Sequence, residues 1–142
     1  MVFITYSEAE TMLVGEELGK RVKAGNVIAL YGDLGAGKTV FVRGLAKGLG
    51  ISARVYSPTF TIVNEYQRDN LTFNHFDMYR ISGSDELFDI GWDDYVSGNS
   101  VCAIEWSENV DDAFDFDIIK VKIEKLSDDT RKIKITGLDI EE

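Results

Sequence analysis

Apolar positions recur along this chain in distinct rhythms, and each rhythm predicts an element. Met12, Leu13, Leu18 and Val22 fall at helical spacing behind Ser7-Glu8-Ala9-Glu10, a capping-box pattern in which Ser7 is placed to receive backbone N–H groups. The pattern predicts a first helix over about residues 8–24. Gly25 and Asn26 break it, and Val27, Ile28, Ala29, Leu30 and Tyr31 then form the short continuous apolar run of a strand buried on both faces. Beyond a glycine-rich stretch, Phe41, Val42, Leu45, Ala46 and Leu49 mark the buried face of a second helix ending near Gly48 or Gly50.

The later half is punctuated differently. Residues 59–66 and 71–78 are rich in β-branched and aromatic side chains and flank the polar Gln67, Arg68, Asp69 and Asn70, which predicts an antiparallel hairpin. Ser84 opens a short acidic helix containing Leu87, Phe88 and Ile90, and residues 100–106 form a buried strand that ends on Glu105 and Trp106. Lysines alternate with aliphatic residues over 118–123 and 132–136 around Ser127, Asp128 and Asp129, the pattern of a hairpin with one wet face. Together these elements predict one α/β domain over residues 1–142, a mixed sheet with flanking helices whose two antiparallel hairpins extend a parallel core.

Composition narrows the class. A chain of 142 residues buries a core without disulfides or a structural metal. With 15 Lys and Arg against 25 Asp and Glu, the formal charge of -10 opposes an unaided grip on a nucleic-acid backbone, so action through protein partners is expected. Cys102, the single cysteine, sits in Val101-Cys102-Ala103-Ile104 and is expected to pack as a small hydrophobe. Glu8, Glu10, Glu16 and Glu17 occupy the place of a leader's apolar stretch, and no apolar run reaches spanning length, so a cytoplasmic protein without membrane contact is expected.

Gly32-Asp33-Leu34-Gly35-Ala36-Gly37-Lys38-Thr39 satisfies G-x-x-x-x-G-K-[ST] with an additional internal glycine. Glycines let the backbone fold into a nest of inward N–H groups that phosphate oxygens approach closely, and the helix that begins there adds its positive end. Lys38 supplies a point charge to the β- and γ-phosphates, and the Thr39 hydroxyl is a hard oxygen ligand for the magnesium ion that bridges them. The loop follows a buried-strand pattern and opens a helical one, the context that the motif requires. A P-loop fold binding ATP or ADP with magnesium is therefore predicted. Phosphoryl transfer to water also needs a carboxylate that orients the attacking water, and Asp77 and Glu105 are the candidates. Spacing alone leaves open which of them does so and which holds the metal.

Three further segments, Ser57-Pro58-Thr59-Phe60-Thr61, His75-Phe76-Asp77-Met78-Tyr79-Arg80 and Ile104-Glu105-Trp106, share order and spacing with a known family. Together with the loop they make residues of about 5–110 resemble the TsaE (YjeE) family of small cytoplasmic ATPases. Members support the TsaD and TsaB proteins in forming threonylcarbamoyladenosine beside the anticodon of certain tRNAs. The resemblance implies the same partners here, with tRNA met only indirectly. It implies that Asp33, Leu34, Gly35, Ala36, Gly37, Lys38, Thr39 and Val40 bind the nucleotide, with Trp106 beside it and Thr11 as a weaker contact. Glu105 would complete the metal site with Thr39, Asp77 would sit near the γ-phosphate to orient water, and Lys38 would stabilise the developing charge. Ser57, Pro58 and Thr59 would act as a switch that senses that phosphate. The family usually places a second threonine after Lys38-Thr39, whereas Val40 stands here, removing a hydroxyl within reach of the α-phosphate.

Other residues carry plainer expectations. His75 is read as a structural hydrogen-bonding side chain rather than a base. Arg80 is read as an ion-pair partner of Asp85, Glu86 and Asp89 rather than an arginine finger. Trp92, Phe88 and Tyr95 at their spacings are read as core-facing. Besides a slow, partner-dependent ATPase, a nucleotide-gated binding module satisfies the same motifs. A small-molecule kinase fits less well, for want of an Arg-rich lid after the loop helix.

Overall fold

The apolar run at residues 27–31 becomes the middle strand of the sheet. A computed structural model describes residues 1–33, 35–52, 54–56, 58 and 62–137, apart from the side chains of Phe88 and Ser97. In chain order the elements are β1 (Val2–Thr5), α1 (Glu8–Arg21), β2 (Val27–Tyr31), α2 (Lys38–Gly48), β3 (Val63–Arg68), β4 (Leu71–Asp77), α3 (Trp92–Ser97), β5 (Ser100–Glu105), β6 (Ile119–Lys125) and β7 (Arg131–Thr136). Among the described residues the strands form one sheet of seven in the order β1-β7-β6-β2-β5-β4-β3. Strands β6, β2, β5 and β4 run parallel, and β1, β7 and β3 are antiparallel additions at the two edges. The β3–β4 hairpin gives one strand to the parallel core and one to the edge, whereas β7 of the β6–β7 hairpin is covered in turn by β1.

The two faces of β2 explain its unbroken apolar run. Ile28 and Leu30 join Phe41, Val42 and Leu45 of α2 on one side, and Val27 joins Phe76, Met78, Trp92 and Ile104 on the other. Cys102 is buried there, and Trp92 and Tyr95 pack edge-on against Phe76, as the spacing predicted.

Several expected boundaries move. Helix α1 stops at Arg21 because Val22 turns to extended backbone (φ −77, ψ 156). Its Ser7 cap accepts from Glu10 N–H at 3.1 Å, while the Glu10 carboxylate takes the N–H of Tyr6, not that of Ser7, at 2.8 Å. Strand β1 was not expected at all. Strand β3 runs on to Arg68, so the turn shrinks to Asp69-Asn70, with Asp69 in the left-handed region (φ 52) that aspartate tolerates. The 59–61 part of the predicted strand lies outside the described residues. The acidic helix is a 3₁₀ segment, Ser84–Ile90, and β4 and β5 end one residue early, at Asp77 and Glu105.

The buried face of α1 differs from the apolar spacing read in the sequence. Leu13 is 57% exposed, and α1 buries Thr11, Gly15, Leu18 and Gly19. A Cβ on Gly15 would lie 2.3 Å from Phe41 O, and one on Gly19 2.3 Å from Leu45 O. Reciprocally, a Cβ on Gly44 would lie 2.0 Å from Met12 O, and one on Gly48 2.1 Å from Glu16 O. Two Gly-x-x-x-Gly stretches thus interlock so closely that backbone meets backbone, which fixes α1 against the helix that follows the loop.

Candidate nucleotide-binding site

The parallel strands bring their carboxyl ends to one rim, where β2 hands over to the glycine-rich loop. Gly35 (φ 80) and Gly37 (φ 99) hold the left-handed backbone that curls the loop, and Gly37 caps α2. Asp77 and Glu105, the last residues of β4 and β5, are directly paired in register beside it. A cleft of about 400 Å³ opens here, bordered by Gly35, Gly37, Lys38, Thr39, Val40, Asp77, Glu105 and Trp106 from the predicted set.

Lys38 is 5% exposed. Its Nζ donates to Gly32 O at 2.5 Å and lies 3.5 Å from the centre of the Trp106 ring. Burial pulls the ammonium below its ordinary value, against the opposing pull of Glu108, Glu105, Asp77 and Asp33. Trp106, directly after β5, is itself in the left-handed region (φ 58), and the Tyr79 ring packs against its ring at 5.0 Å between centroids.

The Thr39 hydroxyl donates to both oxygens of Glu105, at 3.2 and 3.3 Å. Glu105 is 3% exposed and meets His75 Nε2 at 2.5 Å, so His75 is the hydrogen-bonding residue expected. Asp77 accepts from Tyr79 N–H at 2.9 Å. Burial raises its carboxyl above the ordinary value, the Tyr79 bond opposing and Glu105 adding.

Thr11 is a buried residue bordering the cleft, and its Oγ1 lies 2.7 Å from that of Thr5. The unexpected strand β1 therefore orients it. Asp33 and Ala36 border a separate cavity behind the loop, so their side chains are not brought to the cleft. Leu34, Ser57 and Thr59 lie outside the described residues, and Pro58 is buried. Arg80 is exposed and pairs with none of the expected carboxylates; Glu86 instead accepts from Ser82 N–H and Oγ, each at 2.7 Å.

One cleft residue carried no motif. Arg131, at the start of β7, donates through Nε to Ala36 O at 3.0 Å and through an Nη to Gly35 O at 3.2 Å. Its other Nη donates to Ser127 O at 2.8 Å, clamping the β6–β7 turn onto the back of the loop. In sequence it belongs to an ordinary charged alternation; only the fold, across 95 residues, brings it to the loop.

A hydroxyl and a carboxylate in contact are hard oxygen donors of the kind magnesium takes. Among the described residues no three His, Cys, Asp or Glu side chains cluster as a metal cage. Thr39 and Glu105 would hold such an ion with phosphate oxygens and water completing the shell, so the residues present fit a magnesium-bound nucleotide.

Comparison with known proteins identifies relatives of this chain. The family model "Threonylcarbamoyl adenosine biosynthesis protein TsaE" matches residues 5–133. The tRNA threonylcarbamoyladenosine biosynthesis protein TsaE of Bacillus subtilis is 40% identical over 134 residues, 94% of this chain and 84% of that protein. Its counterpart of the same name in Treponema pallidum is 39% identical over 132 residues, 93% and 97%. The crystal structure of Bacillus subtilis YdiB aligns with a TM-score of 0.83 at 34% identity, covering 96% of this chain and 84% of that one, and the fold is P-loop NTPase-like α/β.

Proposed function

This chain belongs to the TsaE family, and from that premise we propose that it serves tRNA threonylcarbamoyladenosine biosynthesis as a magnesium-dependent ATPase. The observation that carries the proposal is the meeting of Lys38, Thr39, Asp77 and Glu105 at one cleft. Lys38 and the loop N–H groups bind the β- and γ-phosphates of ATP. Thr39 and Glu105 hold magnesium, which when bound draws off the charge that develops on those phosphates. Asp77 orients the attacking water, and a carboxyl whose affinity for protons is raised by burial is suited to accept its proton. Trp106 seats Lys38 from below, and Thr11 and Val40 border the nucleotide. Val40 leaves the α-phosphate without a hydroxyl partner, so modest nucleotide affinity follows.

The partners proposed are TsaD and TsaB in the cytoplasm. A charge of -10 favours reaching tRNA through them over binding it directly. Among the described residues no helix is long and apolar enough to cross a membrane. The test is magnesium-dependent ATP hydrolysis by the purified chain, alone and with TsaD and TsaB, with Lys38→Ala as the blank. Stimulation by the partners that vanishes in the blank is expected. Hydrolysis indifferent to the partners, with no complex formed, would overturn the assignment.

A further inference from the structure

We propose that His75 is a positioning residue: its Nε2–H holds the Glu105 carboxylate against the Thr39 hydroxyl, fixing the metal-binding side of the cleft. The proposal rests on the reading of that cleft as a magnesium-nucleotide site. Three elements meet in one line of contacts. His75 on β4 reaches Glu105 on β5 at 2.5 Å, and Glu105 in turn accepts from Thr39 on α2 at 3.2 Å. The sheet register explains the reach. His75 pairs with Ala103, two residues before Glu105, so imidazole and carboxylate share a face as diagonal neighbours.

The side chains of His75 and Glu105 are 0% and 4% exposed, so His75 touches nothing in the cleft except through Glu105. A carboxylate offers only acceptors, so the shared hydrogen resides on Nε2. The ring's other nitrogen, Nδ1, is buried and has no hydrogen-bond partner among the described residues. Among the described residues Glu105 is thus the ring's one hydrogen-bond partner, and no second such group aims the imidazole elsewhere. Glutamate has several rotatable bonds. A buried donor behind it selects the rotamer that faces Thr39, as outer-shell partners do for metal ligands generally.

His75 is the sole histidine, which makes it a clean reporter. In protein labelled with ¹⁵N-histidine, the single imidazole should show the Nε2–H tautomer with a slowly exchanging hydrogen before any nucleotide is added. ADP binding is then titrated calorimetrically with magnesium and with EDTA in wild type, His75→Leu and His75→Gln. Leucine removes the donor; glutamine returns an N–H at similar reach. The expected result is that His75→Leu loses about tenfold of the magnesium-dependent gain in affinity, with its affinity in EDTA unchanged, and that His75→Gln recovers most of the loss. An Nδ1–H tautomer, or a full magnesium gain in His75→Leu, overturns the proposal. If His75→Leu does not fold, a magnesium gain in His75→Gln as poor as that of an Ala variant at Glu105 overturns it equally. A wild type whose affinity ignores magnesium sinks instead the magnesium-nucleotide reading, and the tautomer alone then decides whether His75 holds Glu105.

Discussion

Replacing Gly44 with alanine sets two effects of opposite sign against each other. An alanine inside a helix is worth ~1 kcal/mol over glycine, so on propensity alone α2 gains. The added Cβ, however, would stand 2.0 Å from Met12 O and 2.9 Å from Met12 C. These are backbone atoms of the facing helix and cannot rotate away. The helices must part by roughly an ångström, which loosens the packing of Phe41 and Leu45 against the sheet. Overpacking of this kind costs ~3 kcal/mol at the upper end of its usual range. The net loss is ~2 kcal/mol, which in a domain of this size lowers the melting temperature by roughly 6 °C. Far-UV circular dichroism of wild type and Gly44→Ala, each without ligand, measures it. A variant that melts higher than wild type would refute the close approach, because propensity would then have won unopposed.

Asp77→Asn separates function from stability. Because the folded-state pKa of Asp77 lies above the ordinary 3.8, ionisation opposes folding; that penalty is complete above the folded pKa and fades as pH falls to the unfolded value. The variant should melt higher than wild type at pH near 8, with the gap closing toward pH near 4, while hydrolysis is lost and ADP binding persists; a lower melting point at the alkaline end would contradict the burial argument. Arg131→Lys keeps the charge but forfeits the fork that spans Gly35 O and Ala36 O. It should weaken ADP binding about tenfold by titration, the worth of one charge-assisted hydrogen bond, and unchanged affinity would show that the loop holds its shape unaided.

The legible parts of this protein are those whose chemistry is local. The loop, β2 and the apolar stripe of α2 each declare themselves within a dozen residues, because phosphate binding and helix burial impose fixed spacings. Asp77 and Glu105 were legible as strand ends, although only the register shows them side by side. Strand β1 was not, since four residues with alternating exposure become a strand only by pairing with β7, Val2 opposite Lys134. Arg131 failed for the same reason. The face of α1 failed for another: the apolar spacing passes over Gly15 and Gly19, whereas a glycine at each of i and i+4 on both helices was the available signal for backbone contact.

The cleft draws on both the first and the last strand of the described sheet. Thr5 steadies Thr11 from the first strand, Arg131 braces the loop from the last, and the terminal ammonium of Met1 donates to Ile135 O. During synthesis the phosphate loop leaves the ribosome nearly a hundred residues before its brace does. A nascent chain therefore carries the complete nucleotide motif while still lacking the structure that shapes it. Until β7 has been made, Gly35 O and Ala36 O lack the guanidinium that joins them to the β6–β7 turn.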